Sequence, residues 1–168
     1  MSVQRNVFAR YLKDLSWGKL IWIGLRLERK QPLLAVDSVM ALEKLGLDGD
    51  HRCLKTPGSA RQVTIISEES IALIAKYSGR GGIDPALLRR NLVVSNINLN
   101  ALRHQQFSIG EAVFEATAQC HPCSRMDRDV GPGTVAAMLG HGGLCAKIIR
   151  TGKIQVGDQL IPIIPESL

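Results

Sequence analysis

Apolar residues fall into short runs separated by glycine and polar clusters. In residues 20–27, Ile21, Ile23, Leu25 and Leu27 alternate with Trp22, Gly24 and Arg26. A period of two predicts a strand, and large residues on both faces suggest burial on both sides. Residues 38–45 read as a short helix or turn, stopped by Gly46. Residues 63–66 are β-branched and predict a strand. Ser67 then caps a helix whose first turn carries Glu68 and Glu69, running to about Tyr77 and ending in residues 78–82. Asp84 and Pro85 open another short helix, as cap and first helical residue. From Asn91 onward strands dominate: 92–94, 106–109, 112–116, 145–151 and 159–164, with turns at Gly110, Gly152 and Gly157 and a helical stretch at 134–139. The expected fold is mainly β with a few helices (α+β), a barrel or sandwich. Regular alternation of strand and helix is absent from this reading, which argues against a doubly wound sheet.

The chain has 168 residues, the size of one domain, so 1–168 is expected to fold as a single unit. Aromatics make up only 4% of residues, so the core must be aliphatic. A net charge of +6 favours anionic partners: phosphorylated small molecules, nucleic acid or an anionic membrane. Three Phe, two Tyr and two Trp are scattered along the chain, too sparse for a base-stacking platform, which argues against nucleic acid. The apolar run 20–25 is flanked by charges and too short to span a bilayer, and no cleavage site follows it. A cytoplasmic setting is therefore expected, where thiols stay reduced.

Four cysteines occur: Cys53, Cys120, Cys123 and Cys145. The segment Cys120-His121-Pro122-Cys123-Ser124-Arg125-Met126-Asp127 is the most informative. Two thiols three positions apart can share a metal ion or form a disulfide, and nearby Arg125 and Arg128 favour a thiolate. The plain alternative is a pair of buried cysteines acting as small apolar residues. Together with His51 and Cys53, the pair also offers donors for a tetrahedral zinc site. The zinc-deaminase pattern is not matched, because Cys53 stands where its glutamate belongs and Gln119 where its proline belongs. A thioredoxin-like pair would need a βαβ context.

Several segments together resemble the MOSC family, named after the C-terminal domain of eukaryotic molybdenum cofactor sulfurases. They are residues 46–52 (Gly-Leu-Asp-Gly-Asp-His-Arg), 61–65 (Arg-Gln-Val-Thr-Ile) and 88–94 (Leu-Arg-Arg-Asn-Leu-Val-Val). Residues 107–112 lead into the cysteine loop, and 152–158 complete the pattern. The resemblance extends from about residue 20 to 164 and implies a MOSC-type β-barrel. It departs at Asn96, where the family commonly has glycine; Asn tolerates left-handed backbone.

The resemblance implies a role for the molybdenum cofactor (molybdopterin), a phosphate-tailed pterin. It aligns Cys123 with the signature cysteine, a molybdenum ligand in related amidoxime-reducing proteins and a proposed sulfur carrier in the sulfurases. Cys120 would resolve a persulfide or disulfide on Cys123, or do nothing chemical. Arg89 and Asn91 match an Arg-x-Asn element that contacts the pterin. Arg90, Arg61, Asp50, His51, Arg52, Ser124 and Arg125 complete the expected cofactor-binding set. Two reactions fit: reduction of N-hydroxylated substrates at Cys-ligated molybdenum, with electrons from a separate donor protein, or carriage of sulfur as a Cys123 persulfide from a sulfur donor. The aminotransferase-like part of a complete sulfurase is not recognisable here. A non-catalytic zinc- or anion-binding barrel is the alternative.

Overall fold

A computed structural model describes residues 3–166. Eleven strands are β1 (Gly18–Leu25), β2 (Leu34–Val36), β3 (Ser38–Leu42), β4 (Gly46–Leu47), β5 (Val63–Ser67), β6 (Leu92–Ser95), β7 (Gln106–Ile109), β8 (Ala112–Gln119), β9 (Leu144–Arg150), β10 (Gly152–Gln155) and β11 (Gln159–Pro162). The helices are α1 (Val3–Ala9), α2 (Glu68–Tyr77), α3 (Arg125–Asp129) and α4 (Thr134–Met138), joined by short 3₁₀ turns.

The main sheet runs β11-β7-β8-β9-β5-β6-β1, and β1 pairs back onto β11 through Gly18 opposite Leu160. That contact closes a seven-stranded barrel and removes the free edges an open sheet would expose. β2 adds outside β1, and β10-β3-β4 form a separate small sheet. The expected β-rich α+β barrel is what forms. The interior is aliphatic, as the low aromatic content requires, and Phe107 and Phe114 stack within it at 5.5 Å between ring centres.

The ladder is antiparallel except between β5 and β6, which are parallel and connected through α2. One βαβ unit is therefore present where the sequence pattern suggested none. Its helix is cut as expected: the Ser67 hydroxyl accepts from Ser70 N–H, and the helix ends at Tyr77. Ile71 and Ile74 of α2 pack with Ile66, Val93, Leu88, Met126 and Met138 into a second apolar cluster outside the barrel.

Two expectations fail locally. Residues 38–45 are not helical: β3 pairs antiparallel with β10 over four residues, and Ala41 is buried. Met-Ala-Leu-Glu-Lys-Leu is a helix-prone string, but a partner more than a hundred residues away overrides that weak preference. For the same reason 152–155 is a strand rather than only a turn. Asn96 adopts φ 64°, a left-handed geometry that asparagine tolerates better than most residues.

Candidate functional site

Three chain segments meet where β1 ends and the parallel strands β5 and β6 begin. Arg26 follows β1 directly, Asp50 follows β4, and Asn91 precedes β6. Asp50 is buried at 6% exposure, and its carboxylate accepts from Arg26 N–H (2.9 Å), Arg52 N–H (2.8 Å) and Asn91 Nδ2 (3.0 Å). Asn91 Nδ2 also donates to Gly24 O (3.0 Å), while its Oδ1 accepts from Thr64 N–H (3.2 Å) and the Thr64 hydroxyl (3.3 Å). The Asn91 amide is thus bonded on both ends, with Thr64 on one side and Asp50 on the other. Buried polar groups require such pairing.

Above this floor lies a recess of about 210 Å³. Arg26, Arg52, Lys55 and Arg61 line it together with His51, Asp50, Gln62, Thr64 and Asn91. Burial and the neighbouring charge of Arg89 depress the Arg26 pKa; Asp50 opposes this, and Arg61 and Arg125 add to the repulsion. Arg26, Arg61, Arg89 and Arg125 therefore share one electrostatic neighbourhood. The ion pairs among the described residues, Arg128–Asp129 and Lys147–Glu115, involve none of them. The buried Nε atoms of Arg26 and Arg52 have no hydrogen-bond partner. An unpaired buried donor is costly, so these two nitrogens are suited to an acceptor from outside the chain.

Arg89 and Arg90 diverge. Arg89 closes a 3₁₀ turn in left-handed geometry, φ 57°, a conformation uncommon for a non-glycine residue. It is half-buried, and its carbonyl accepts from Arg26 Nη2 (3.4 Å). Arg90 is buried at 3% exposure, and its guanidinium donates to the carbonyls of Gly142 (2.9 Å), Leu88 (2.9 Å) and Cys120 (3.4 Å). Of the arginine pair, Arg90 ties loops together and does not line the recess.

The cysteine loop sits beside this cationic group. Arg61 Nη2 lies 3.7 Å from Cys120 Sγ, linking recess and loop. Thr117 Oγ1 holds the Arg61 segment to β8 by donating to Ala60 O (2.5 Å). Cys120 is buried and Cys123 exposed; all four cysteines are free thiols. Met126, fully buried, anchors α3 in the second apolar cluster, and its N–H donates to Cys123 O (3.0 Å). Asp127 accepts from Val135 N–H (2.9 Å). Cys123 thus projects from a loop whose backbone is pinned downstream. Ser124 is exposed and makes no capping bond; Arg125 is half-buried. Gly142 and Gly143 let the α4–β9 loop close on this segment: a Cβ at Gly142 would overlap the Cys120 carbonyl, and one at Gly143 the Ile65 carbonyl.

The zinc arrangement is not assembled. No group of three or more His, Cys, Asp or Glu converges among the described residues. Cys53 Sγ donates instead to Leu47 O (3.0 Å), and burial together with Asp50 and Asp48 pushes its thiol pKa up. Arg26, Lys55, Gln62 and Thr64 were not singled out from sequence as cofactor contacts. The sequence pattern counts Arg26 within the strand-like run 20–27, just before Glu28, Arg29 and Lys30, and nothing in it singles this arginine out. No helix among the described residues is long and apolar enough to cross a membrane.

The fold resembles solved structures. One is the YUAD protein of Bacillus subtilis, with TM-score 0.76 and 20% identity over 87% of this chain and 95% of that one. Another is YiiM from Escherichia coli, with TM-score 0.67 and 20% identity over 89% of this chain and 72% of that one. YiiM from Geobacillus stearothermophilus gives TM-score 0.70 and 14% identity over 87% and 75%. At these identities the likeness speaks for the fold. No curated protein matches the sequence. The sequence pattern of the MOSC domain matches residues 51–161, a stretch running from His51 at the recess through the cysteine loop to β11. With the barrel and this match together, the chain belongs to the MOSC domain family.

Proposed function

We propose that this chain binds the molybdenum cofactor, with the anionic, phosphate-tailed end of the pterin in the cationic recess and Cys123 as the thiolate for the metal. The observation that carries this reading is the set of arginines gathered without ion-pair partners around two orphaned, buried Nε donors. Self-repelling cations persist in a fold only when something else stabilises the arrangement, and a bound polyanion does so. The residues fit such a group. Guanidinium forks suit phosphate oxygens, and a single exposed thiolate suffices for a metal otherwise held by the cofactor's own dithiolene, so no cluster of protein ligands is needed.

Each residue has a separable task. Arg26, Arg52 and Arg61 supply donors to the anion, with Lys55 at the margin. Arg89 and Arg125 add positive potential nearby. Asp50 and Asn91 hold the backbone that presents Arg26 and Arg52. The His51 imidazole, lining the recess, gives or takes a proton at a ring nitrogen. When bound, the cofactor supplies two-electron oxygen-transfer chemistry, which suits reduction of N-hydroxylated substrates with electrons from a separate protein. The exposure of Cys123 also favours a second reading, carriage of a persulfide handed over by a partner protein. The four free thiols suit a reducing compartment, and we assign the chain to the cytoplasm on that ground.

The test is purification from a host that synthesises the cofactor, followed by metal analysis and pterin fluorescence. Wild type is expected to carry pterin and molybdenum. Cys123→Ala should lose the metal, and Arg26→Gln should carry less pterin than wild type. Stoichiometric zinc without pterin would overturn the reading. With cofactor bound, turnover of an N-hydroxylated amidine selects the reductase. A cyanide-labile sulfur on Cys123 selects the carrier.

A further inference from the structure

The two buried thiols, Cys120 and Cys145, are given no task in the cofactor reading. Cys145 lies in β9 opposite Ala118 of β8, and Gln119 lies opposite Leu144. The next residue, Cys120, donates its N–H to Gly143 O (2.8 Å), so the ladder continues. Cys120 and Cys145 therefore leave the same face of the sheet at diagonal positions, within reach of each other. The Cys145 thiol hydrogen-bonds to the Cys120 sulfur.

The surroundings of the two sulfurs are unequal. Arg61 Nη2 is 3.7 Å from Cys120 Sγ, and the buried Arg90 guanidinium reaches the Cys120 carbonyl. These cations favour a negative charge on Cys120. The Cys145 hydrogen bond, Arg90, Arg61 and His121 outweigh burial and hold the Cys120 thiol down to about 6. The same hydrogen bond and burial push the Cys145 thiol up. Access is narrow. A slot of about 10 Å³ is lined by Cys120, Pro122, Gly140, Gly142 and Gly143. That volume is near the minimum a water molecule needs, about 10–15 Å³. A small peroxide is close to water in cross-section, while a bulky electrophile is excluded.

We propose that Cys120 and Cys145 form a peroxide-reactive dithiol, in which Cys120 is oxidised first and Cys145 closes the disulfide. The Cys120 thiolate attacks one oxygen of hydrogen peroxide. The S–O bond forms, the O–O bond breaks, and hydroxide leaves to be protonated by solvent, giving a sulfenic acid. The Cys145 sulfur then attacks the Cys120 sulfur. The S–S bond forms, the S–O bond breaks, and the departing hydroxide leaves as water with the Cys145 proton. Peroxide gains two electrons and the thiol pair loses two. The Cys-x-x-Cys spacing suggests Cys123 as the partner, but the fold supplies Cys145.

The experiment is graded hydrogen peroxide on the native protein, followed by digestion without reduction and mass spectrometry. The expected product is a peptide pair linked through Cys120 and Cys145. It should persist in Cys123→Ser and vanish in Cys145→Ser, where dimedone traps Cys120 as sulfenic acid. A Cys120–Cys123 link would overturn the proposal, as would oxidation of Cys123 with Cys120 and Cys145 still reduced. Because a strand cysteine variant can misfold, Arg61→Gln provides a second arm. Arg61 is exposed, and its loss should slow cross-linking severalfold at neutral pH. An unchanged rate counts against the proposal. In untreated wild type a bulky maleimide should label Cys123 well before Cys120, and the reverse order would remove the slot argument.

Discussion

The floor and the rim of the recess are built from similar polar residues but satisfy them in opposite ways. On the floor, Asp50, Asn91 and Thr64 are buried, and their polar side chains bond within the chain. On the rim, Arg26 and Arg52 leave buried Nε atoms without a partner, and Arg61 has only the Cys120 sulfur. A satisfied buried network stabilises and specifies a fold, whereas an unsatisfied cationic one stores potential for a ligand. The division teaches that membership of a family motif does not decide a residue's task. Arg89 and Arg90 are neighbours in one motif, yet one lies within electrostatic reach of the rim cation Arg26 and the other is tied wholly to loop carbonyls away from the recess.

The contrast breaks most visibly at Asp50. Asp50→Ala leaves two backbone N–H groups and the Asn91 amide without their acceptor, and should cost about 3 kcal/mol in denaturant unfolding. Asp50→Asn keeps an acceptor oxygen and should cost less. A cost near zero for Asp50→Ala would dissolve the distinction between floor and rim. Arg90→Met removes the donor for three carbonyls and should cost about 2 kcal/mol, with the loop bearing Cys120 loosened in hydrogen exchange. Arg26→Gln should leave stability within about 0.5 kcal/mol or raise it, because a repelled, partly buried cation is removed. The same change should weaken binding of a phosphorylated pterin about tenfold, or about 1.4 kcal/mol, by calorimetry.

A last effect concerns pH. Cys120 is lowered from its ordinary 9.0 to about 6, so its contribution to stability is complete above pH 9 and is lost as pH falls through about 6. Cys145 is raised, so its protonated form contributes below pH 9 and that contribution fades as pH rises beyond it. The thermal midpoint should therefore climb between pH 6 and 9 and decline above. Cys120→Ser should flatten the climb.

Much of the architecture was legible in the order of residues. The strands at 63–66, 92–94 and 106–109, the Ser67 cap and the Asp84-Pro85 turn rest on interactions within a few positions, so local pattern reports them. The chemistry-bearing segments were also visible, since the glycine-bent 46–52 loop and the Arg-Arg-Asn string are contiguous. Less legible were β3 and β10, which exist because each supplies the other's hydrogen bonds across a long sequence gap. The same holds for Arg26, whose importance appears only when β1, β5 and β6 bring it over Asp50.

The sequence by itself determined which residue types are available: an aliphatic core, an excess of arginine and four thiols. Tertiary structure alone decided their pairing. It set Cys120 and Cys145 at diagonal positions on one face of the sheet, turned Arg90 inward, and gathered the guanidinium groups of the rim around one recess. The reason is that side-chain satisfaction depends on distance in space. Barrel closure sets those distances through ladders that no local stretch of the chain encodes.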